Sequence, residues 1–430
     1  MRGTDDFFVS GRSLGAGLIF ATFLAPNIGA GSTVGATDLA YRDGLSAWWW
    51  NGSAGLGSLV LAFWVGPRMW REATRHRLLT VGDFLEHRYG HAVRGLAAGV
   101  IWLGTLSVLR AQLDGIAAVL GIAGGLSHAT GCLIGAAVMT AYFVGGGLAS
   151  TARVNGIQLA VKLTGFALAT PLAIAAAGGW HAVQTLNPGR LDIWHVSPSG
   201  EGWPFVFLLG PAFFLSPGLL QKAFSARDAR ALTRGVAWNA AALMLFAVVP
   251  VAIGLTARAL FPNLPRDAAL PTMLTHVPLA IGGLALAAVF SAELSAADAV
   301  LFMLSTSGAQ DFYKGFFRPY ATDVEVLRAA RLIAIVGGTL GYSLTFVLPT
   351  VLASLKLFYA VLVVSLFVPI LGGLYLPRAG TRGAFAAIVS GITVLVTIHL
   401  STGGHGFGWV SPTLVGLVAS CLGYLAFSIW

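Results

Sequence analysis

Two of the twelve apolar stretches in this chain are interrupted at their centres, the first at Pro26-Asn27-Ile28-Gly29-Ala30-Gly31-Ser32 and the sixth at Ser216-Pro217-Gly218. Proline has no amide hydrogen to donate and glycine holds helical geometry weakly, so each interruption frees backbone groups from the helix. In hydrocarbon such groups are tolerated only where protein or a polar cavity satisfies them. One break alone reads as a proline kink. Two breaks five segments apart are the signature of an internally repeated transporter, whose unwound backbone binds ion and solute at mid-membrane. If every stretch spans, the first runs outward and the sixth inward, so segments one to five and six to ten form inverted units, with eleven and twelve outside them.

The rest of the chain fits that reading. Hydrophobic residues make up 56% of it and charged residues 10%, and its mean hydropathy of +0.79 lies far from soluble-domain composition. Apolar stretches long enough to cross a bilayer are expected at about 13–37, 45–67, 93–120, 128–148, 156–179, 203–222, 234–260, 279–308, 326–348, 350–376, 382–401 and 409–429. The fold class is therefore an all-α polytopic membrane protein of about twelve spans, one transmembrane domain over 1–430. Repeat one is expected at about 12–179, repeat two at about 203–377, and accessory helices at about 382–430.

The net charge of +9 does not point to nucleic acid, because the basic residues segregate by loop. With the N-terminus inside, 19 of the 26 lysines and arginines fall on the cytoplasmic side, Arg94 and Lys222 among them. Arg42, Arg190, Arg258 and Arg266 face out, and Arg110, Lys162 and Lys356 lie within spans. Both termini are expected in the cytoplasm, with the protein integral to the cytoplasmic membrane. The outer loops 187–203 and 261–276 read as lids, and the inner stretch Thr80–Arg88 reads as helical.

Cys132 and Cys421 lie in apolar stretches without metal or disulfide spacing, and the nine histidines are scattered, so no metal site beyond a possible sodium is expected. No cleavable signal is expected, since Met1 to Arg12 is polar and the apolar run after it is interrupted. Gly29-Ala30-Gly31 follows no strand, and no phosphate loop or triad spacing is present, which argues against an enzyme.

Six motifs in order resemble the solute:sodium symporter family. They are Phe7-Phe8-Val9-Ser10-Gly11-Arg12-Ser13-Leu14 with Asn27-Ile28-Gly29-Ala30, then Thr80 to Gly90, Gln221 to Asp228, Ser295-Ala296-Ala297-Asp298, Asp311-Phe312-Tyr313-Lys314, and Gly373-Leu374-Tyr375 with Arg378-Ala379 and Gly383-Ala384. The resemblance covers nearly the whole chain. It implies a LeuT-like five-plus-five inverted repeat, alternating access, and cation-coupled symport of a small organic solute with sodium as the default ion. Members usually carry one more helix before the first motif, outside the transport core. No organic cofactor is implied, and the expected partners are the solute and membrane lipid, with no obligate protein partner. A transporter-like solute sensor is an alternative.

By that resemblance, sodium would sit between the Ala25 and Ile28 carbonyls and the eighth span, through the Ala292 carbonyl and positions Ser295 and Ala296. Alanine at 296 removes a hydroxyl found in relatives, and Asn155 stands where many relatives have an aspartate. Against those losses stand two intramembrane charges, Lys162 and Glu293, which are costly in hydrocarbon and functional by default. Lys162 is two helical turns from Asn155 and so on nearly the same face. These residues suggest that the Lys162 ammonium partly replaces sodium with Glu293 as counter-charge, giving proton-coupled or uncoupled transport; snorkelling of Lys162 is the plainer alternative.

For the solute, Asn27, Ser32, Asn51 and Ser216 offer polar groups beside Trp48-Trp49-Trp50. Arg110 is either a clamp for a carboxylate solute or the structural partner of Asp114, four residues on. Lys356 has no acidic partner nearby in sequence.

Overall fold

In the computed structural model, residues 8–145, 148–198, 200–265, 267–347, 350–376 and 380–428 are described. Phe7, Arg266, Arg378 and Ala379 lie outside them. Helices form at each of the twelve expected stretches, and no strand occurs among the described residues. The first stretch comprises α1 (Ala16–Asn27), a π-helical turn at Gly31–Gly35, and α2 (Ala36–Asp43). The second comprises α3 (Trp48–Val60) and α4 (Gly66–Arg75). The short helix α5 (Val81–Tyr89) starts at a capping box in which the Thr80 hydroxyl and Asp83 carboxylate satisfy each other's backbone amides.

The third to fifth stretches are α6 (His91–Gly124), α7 (His128–Gly145) and α8 (Leu148–Ala176), followed by the short helix α9 (Trp180–Leu186). The sixth is α10 (Val206–Leu215) with α11 (Pro217–Phe224), and the seventh is α12 (Ala229–Phe246) with α13 (Val248–Leu260). A short helix α14 (Ala269–Thr275) precedes α15 (Leu279–Thr306), α16 (Asp323–Leu344), α17 (Val351–Tyr375), α18 (Thr381–Ser401) and α19 (Pro412–Ser428). Among the described residues, seven helices are long and apolar enough to cross a membrane, and the bent pair at the first break makes eight. Segments α7 and α19 are shorter. The first turns of α16 carry Asp323, Glu325, Arg328 and Arg331, which lower its hydropathy.

The two breaks differ in kind. Around Ile28 the chain bends by 64°. At Ser216 (φ −52°, ψ 121°) a single residue leaves helical geometry, and Trp203–Phe224 continues as one 22-residue apolar stretch. The difference follows from the bonding, since the Leu220 amide already donates to the Ser216 carbonyl at 2.9 Å and re-enters the helix at once. The eighth stretch also runs further than its hydropathy suggests, through a π-helical segment at Ser307–Phe317. Buried Asp311 holds that extension by accepting from Thr80 (2.7 Å) and Ser307 (3.0 Å).

Helix α1 packs on α8, α12 and α15; α15 packs on α6 and α8; α17 packs on α6 and α10. Helices α18 and α19 pair with each other and lean on α17. The loops 187–203 and 261–276, expected on the outer side, are bonded to this bundle. The Tyr41 hydroxyl donates to the Phe261 carbonyl (2.6 Å), and Trp49 Nε1 donates to the Ile193 carbonyl (2.9 Å).

Candidate functional site

Lys162 on α8 is fully buried, and its ammonium lies against the first break. Nζ donates to the carbonyls of Ala25 (2.5 Å) and Ile28 (3.3 Å) and to Ser295 Oγ on α15. An ammonium has three donors, and all three are engaged. Ser295 Oγ is in turn 3.0 Å from the Ala25 carbonyl and 3.1 Å from the Ala292 carbonyl. Lys162 therefore does not snorkel. Three of the five positions expected to hold sodium contact the ammonium, Ala292 reaches it through Ser295, and Ala296 presents only a methyl, against Gly29.

Glu293 is also fully buried, yet it makes no ion pair with Lys162 within 4.0 Å; the two charges act on each other through space. One carboxylate oxygen accepts from the Thr33 hydroxyl at 3.1 Å, and the other is buried with no hydrogen-bond partner. Its carboxyl fits because residue 115 is glycine; a β-carbon there would lie 2.7 Å from Glu293 Cδ. Asn155, on α8, is buried with neither amide atom bonded.

Beside this cluster lies a cavity between α1, α3, α6, α10, α11, α12, α15 and α17. Asn27, Ser32, Asn51 and Ser216 all line it. The Ser32 hydroxyl stitches the break, donating to the Asn27 carbonyl (2.6 Å) and accepting from the Gly29 amide (3.0 Å), while the Asn51 amide donates to the Ser32 carbonyl (3.1 Å). Asn27 Nδ2 donates to Asn239 Oδ1 at 3.2 Å, and Gln112 Oε1 accepts from the Ala30 amide at 3.0 Å. Of the tryptophans, Trp50 faces the cavity, edge-on to Phe205 and Tyr359, while Trp49 turns to the outer loop and Trp194.

Lys222 departs most from its expected place. Counted with the cytoplasmic anchors on charge segregation, it is 3% exposed and lines the cavity from α11, the one charged residue that does so among the described residues. Arg94 is buried too, bridging Asp83 (2.9 Å), Glu86 and Asp311 (3.1 Å). Hydropathy could not separate these residues from true loop anchors, because each lies within a turn or two of a helix end. Polar residues at mid-span, such as Gln112 and Asn239, carried a signal that sequence reading passed over.

Arg110 does not reach the cavity lining. It pairs with Asp114 at 2.5 Å and donates to Ser354 on α17 at 3.1 Å. Lys356 finds an acidic partner far away in sequence, Glu201 in the 187–203 loop, which Arg42 also approaches at 3.5 Å. Burial alone would raise the Glu201 carboxyl, but Lys356 and Arg42 outweigh it and hold the group below its ordinary range.

A broken membrane helix that opens into a polar, aromatic-walled cavity is the build of a secondary transporter. The sodium:solute symporter family model matches residues 7–391, and the chain belongs to that family. It is 28% identical to the sodium/pantothenate symporter of Escherichia coli, over 96% of this chain and 88% of that protein. It is 24% identical to the osmoregulated proline transporter of Bacillus subtilis (97% and 89%) and 24% identical to the human high affinity choline transporter (96% and 73%). Among solved structures, a substrate-bound, outward-open Na+-coupled sialic acid symporter superposes with a TM-score of 0.85 at 16% identity, over 100% of this chain and 93% of that one. The chain is a multi-pass membrane transporter and not an enzyme, and its function is cation-coupled symport of a small organic solute.

Proposed function

We propose that this protein carries a small organic solute bearing a carboxylate, and that a proton held on Lys162 serves as the coupling cation at the place a sodium would take. The observation that carries the reading is the Lys162 ammonium against Ala25, Ile28 and Ser295. An ammonium and a sodium ion both bring one positive charge to the same carbonyl and hydroxyl oxygens. With Lys162 protonated, α1 and α15 are tied together; loss of the proton leaves an amine with no charge to hold them. Glu293 supplies the counter-charge, and Asn155 and Ala296 supply no further cation ligand in this reading. The sodium ligands of the family default would be the same Ala25, Ile28, Ala292, Ser295 and position 296.

The carboxylate reading rests on the cavity's charge. Lys222 faces it with no acid among the described lining residues, buried Asp298 lies within electrostatic reach of its ammonium, and the start of α11 at Gly218 and Leu219 presents helix N-terminal amides to the same space. Pantothenate, proline and sialic acid, named for three relatives, carry carboxylates, and choline does not. Asn27, Ser32, Asn51 and Ser216 would fix the solute, while the repeats, about 12–179 and 203–377, rock around it in the cytoplasmic membrane with both termini inside.

Sodium coupling is the second reading, favoured by family membership; it requires Lys162 to leave its three oxygens. Proteoliposomes separate the two. The first reading expects uptake of labelled pantothenate or proline driven by an inward proton gradient at equal sodium, with choline not accepted. Uptake driven by a sodium gradient alone would overturn the coupling assignment, and uptake of choline alone would overturn the carboxylate.

A further inference from the structure

A second group of chemically active side chains lies where α6 and α7 meet, away from the cavity. Asp114 on α6 presents Oδ1 to His128 Nε2 at 3.1 Å. Cys132, one helical turn after His128, places Sγ 3.8 Å from that nitrogen and 4.0 Å from that oxygen. All three ligand atoms lie within 4.8 Å of one another. A tetrahedral zinc ion with bonds of about 2.3 Å to sulfur and about 2.0–2.1 Å to nitrogen and oxygen needs ligand separations of about 3.3–3.6 Å. Each observed separation is within half an ångström of that triangle.

The surroundings suit a metal. Asp114 Oδ2 is already taken by Arg110 at 2.5 Å, so Oδ1 is the oxygen left to face the other two ligands, and the guanidinium fixes its orientation. Asp267 adds negative charge within electrostatic reach of Asp114, offsetting Arg110. The Cys132 thiol is buried, with the Leu113 carbonyl 3.6 Å away. His128 is the first residue of α7, and its side chain is 55% exposed, which gives an ion a way in and leaves a fourth position for water.

We infer that Asp114, His128 and Cys132 form a zinc site at the α6–α7 corner, on the side expected to face outward. Binding would displace the thiol proton to solvent, leaving thiolate, imidazole and carboxylate on the ion. Because Arg110 also donates to Ser354, a metal at Asp114 would tie α6, α7 and α17 together.

Cobalt(II) is the probe. Purified, tag-free, reduced protein titrated with cobalt is expected to develop a thiolate-to-cobalt charge-transfer band saturating at one ion per chain and bleached by zinc. Cys132→Ser should abolish the band, the exposed His128→Ala should weaken affinity at least about tenfold, and Cys421→Ser should leave both unchanged. Absence of the band at millimolar cobalt, or its survival in Cys132→Ser, would overturn the site. His128→Ala, an exposed change that leaves the core intact, keeps the test valid if the buried serine variant does not fold.

Discussion

Replacing Lys162 with alanine tests the cation assignment most directly. The change deletes three hydrogen bonds, to Ala25, Ile28 and Ser295. Charge-assisted bonds of that kind contribute about 1.5–3 kcal/mol each. Deleting the ammonium also removes its own desolvation penalty, several kcal/mol for a buried ion, so those two terms largely offset. What remains is Glu293, fully buried and without the through-space counter-charge of Lys162; since the two make no contact pair, the cost is at most that of a broken buried pair, about 3–5 kcal/mol. At about 2.1 cal/mol/K of unfolding entropy per residue, a chain of 430 residues shifts its melting midpoint by about 1 °C per kcal/mol. The single variant should therefore melt below the parent in choline chloride, by up to about 3–5 °C. Adding Glu293→Gln should recover most of that loss. Sodium should then matter where it did not before: at fifteen-fold excess over its dissociation constant it restores about 1.6 kcal/mol to the alanine variant. Melting curves of purified protein in NaCl, KCl and choline chloride read all of these. A saturable sodium-specific rise in the parent equal to that in the variant would refute the reasoning, as would a Lys162→Ala loss that Glu293→Gln does not relieve.

Other perturbations test the scaffold. Glu201→Gln removes the acid shared by Lys356 and Arg42; with Lys356 about a third exposed, the expected loss near neutral pH is about 1–3 kcal/mol, between exposed and buried pairs. Because the Glu201 carboxyl titrates below its ordinary 4.5, its stabilisation is present above that pH and lost as pH falls through the lowered value, so the variant should flatten the acid limb of a melting-against-pH profile. An unchanged acid limb would remove Glu201 from that account. Arg94→Met leaves Asp311 and Asp83 facing each other beside the start of α6 and should cost about 3–5 kcal/mol in thermal unfolding. Gly57→Ala drives a methyl to 2.2 Å from the Gly210 carbonyl oxygen, backbone against backbone, and should cost about 1–3 kcal/mol; parent-like stability would show that α3 and α10 approach less closely than described.

The broken first helix was legible because proline and glycine weaken the helix locally, and the chain leaves helical geometry between Asn27 and Gly31, just after Pro26. Lys162 was legible as a charge too costly to be idle, and its partners followed once the resemblance placed Ala25, Ile28 and Ser295 around it. What could not be read was distance between segments. Glu293 shares Lys162's neighbourhood without touching it, because Thr33 and Gly115 draw its carboxyl aside. Lys356 meets Glu201 across 155 residues, and Asp114 meets His128 and Cys132 only because the α6–α7 turn folds them together. Lys222 shows the same limit from the other side. A lysine near the end of an apolar run satisfies the rule for cytoplasmic anchors equally well whether it faces water or a cavity, since that rule counts charges by loop and is blind to helix rotation. Rotation is set by what packs against α11, and those contacts turn Lys222 inward and give the cavity its positive charge.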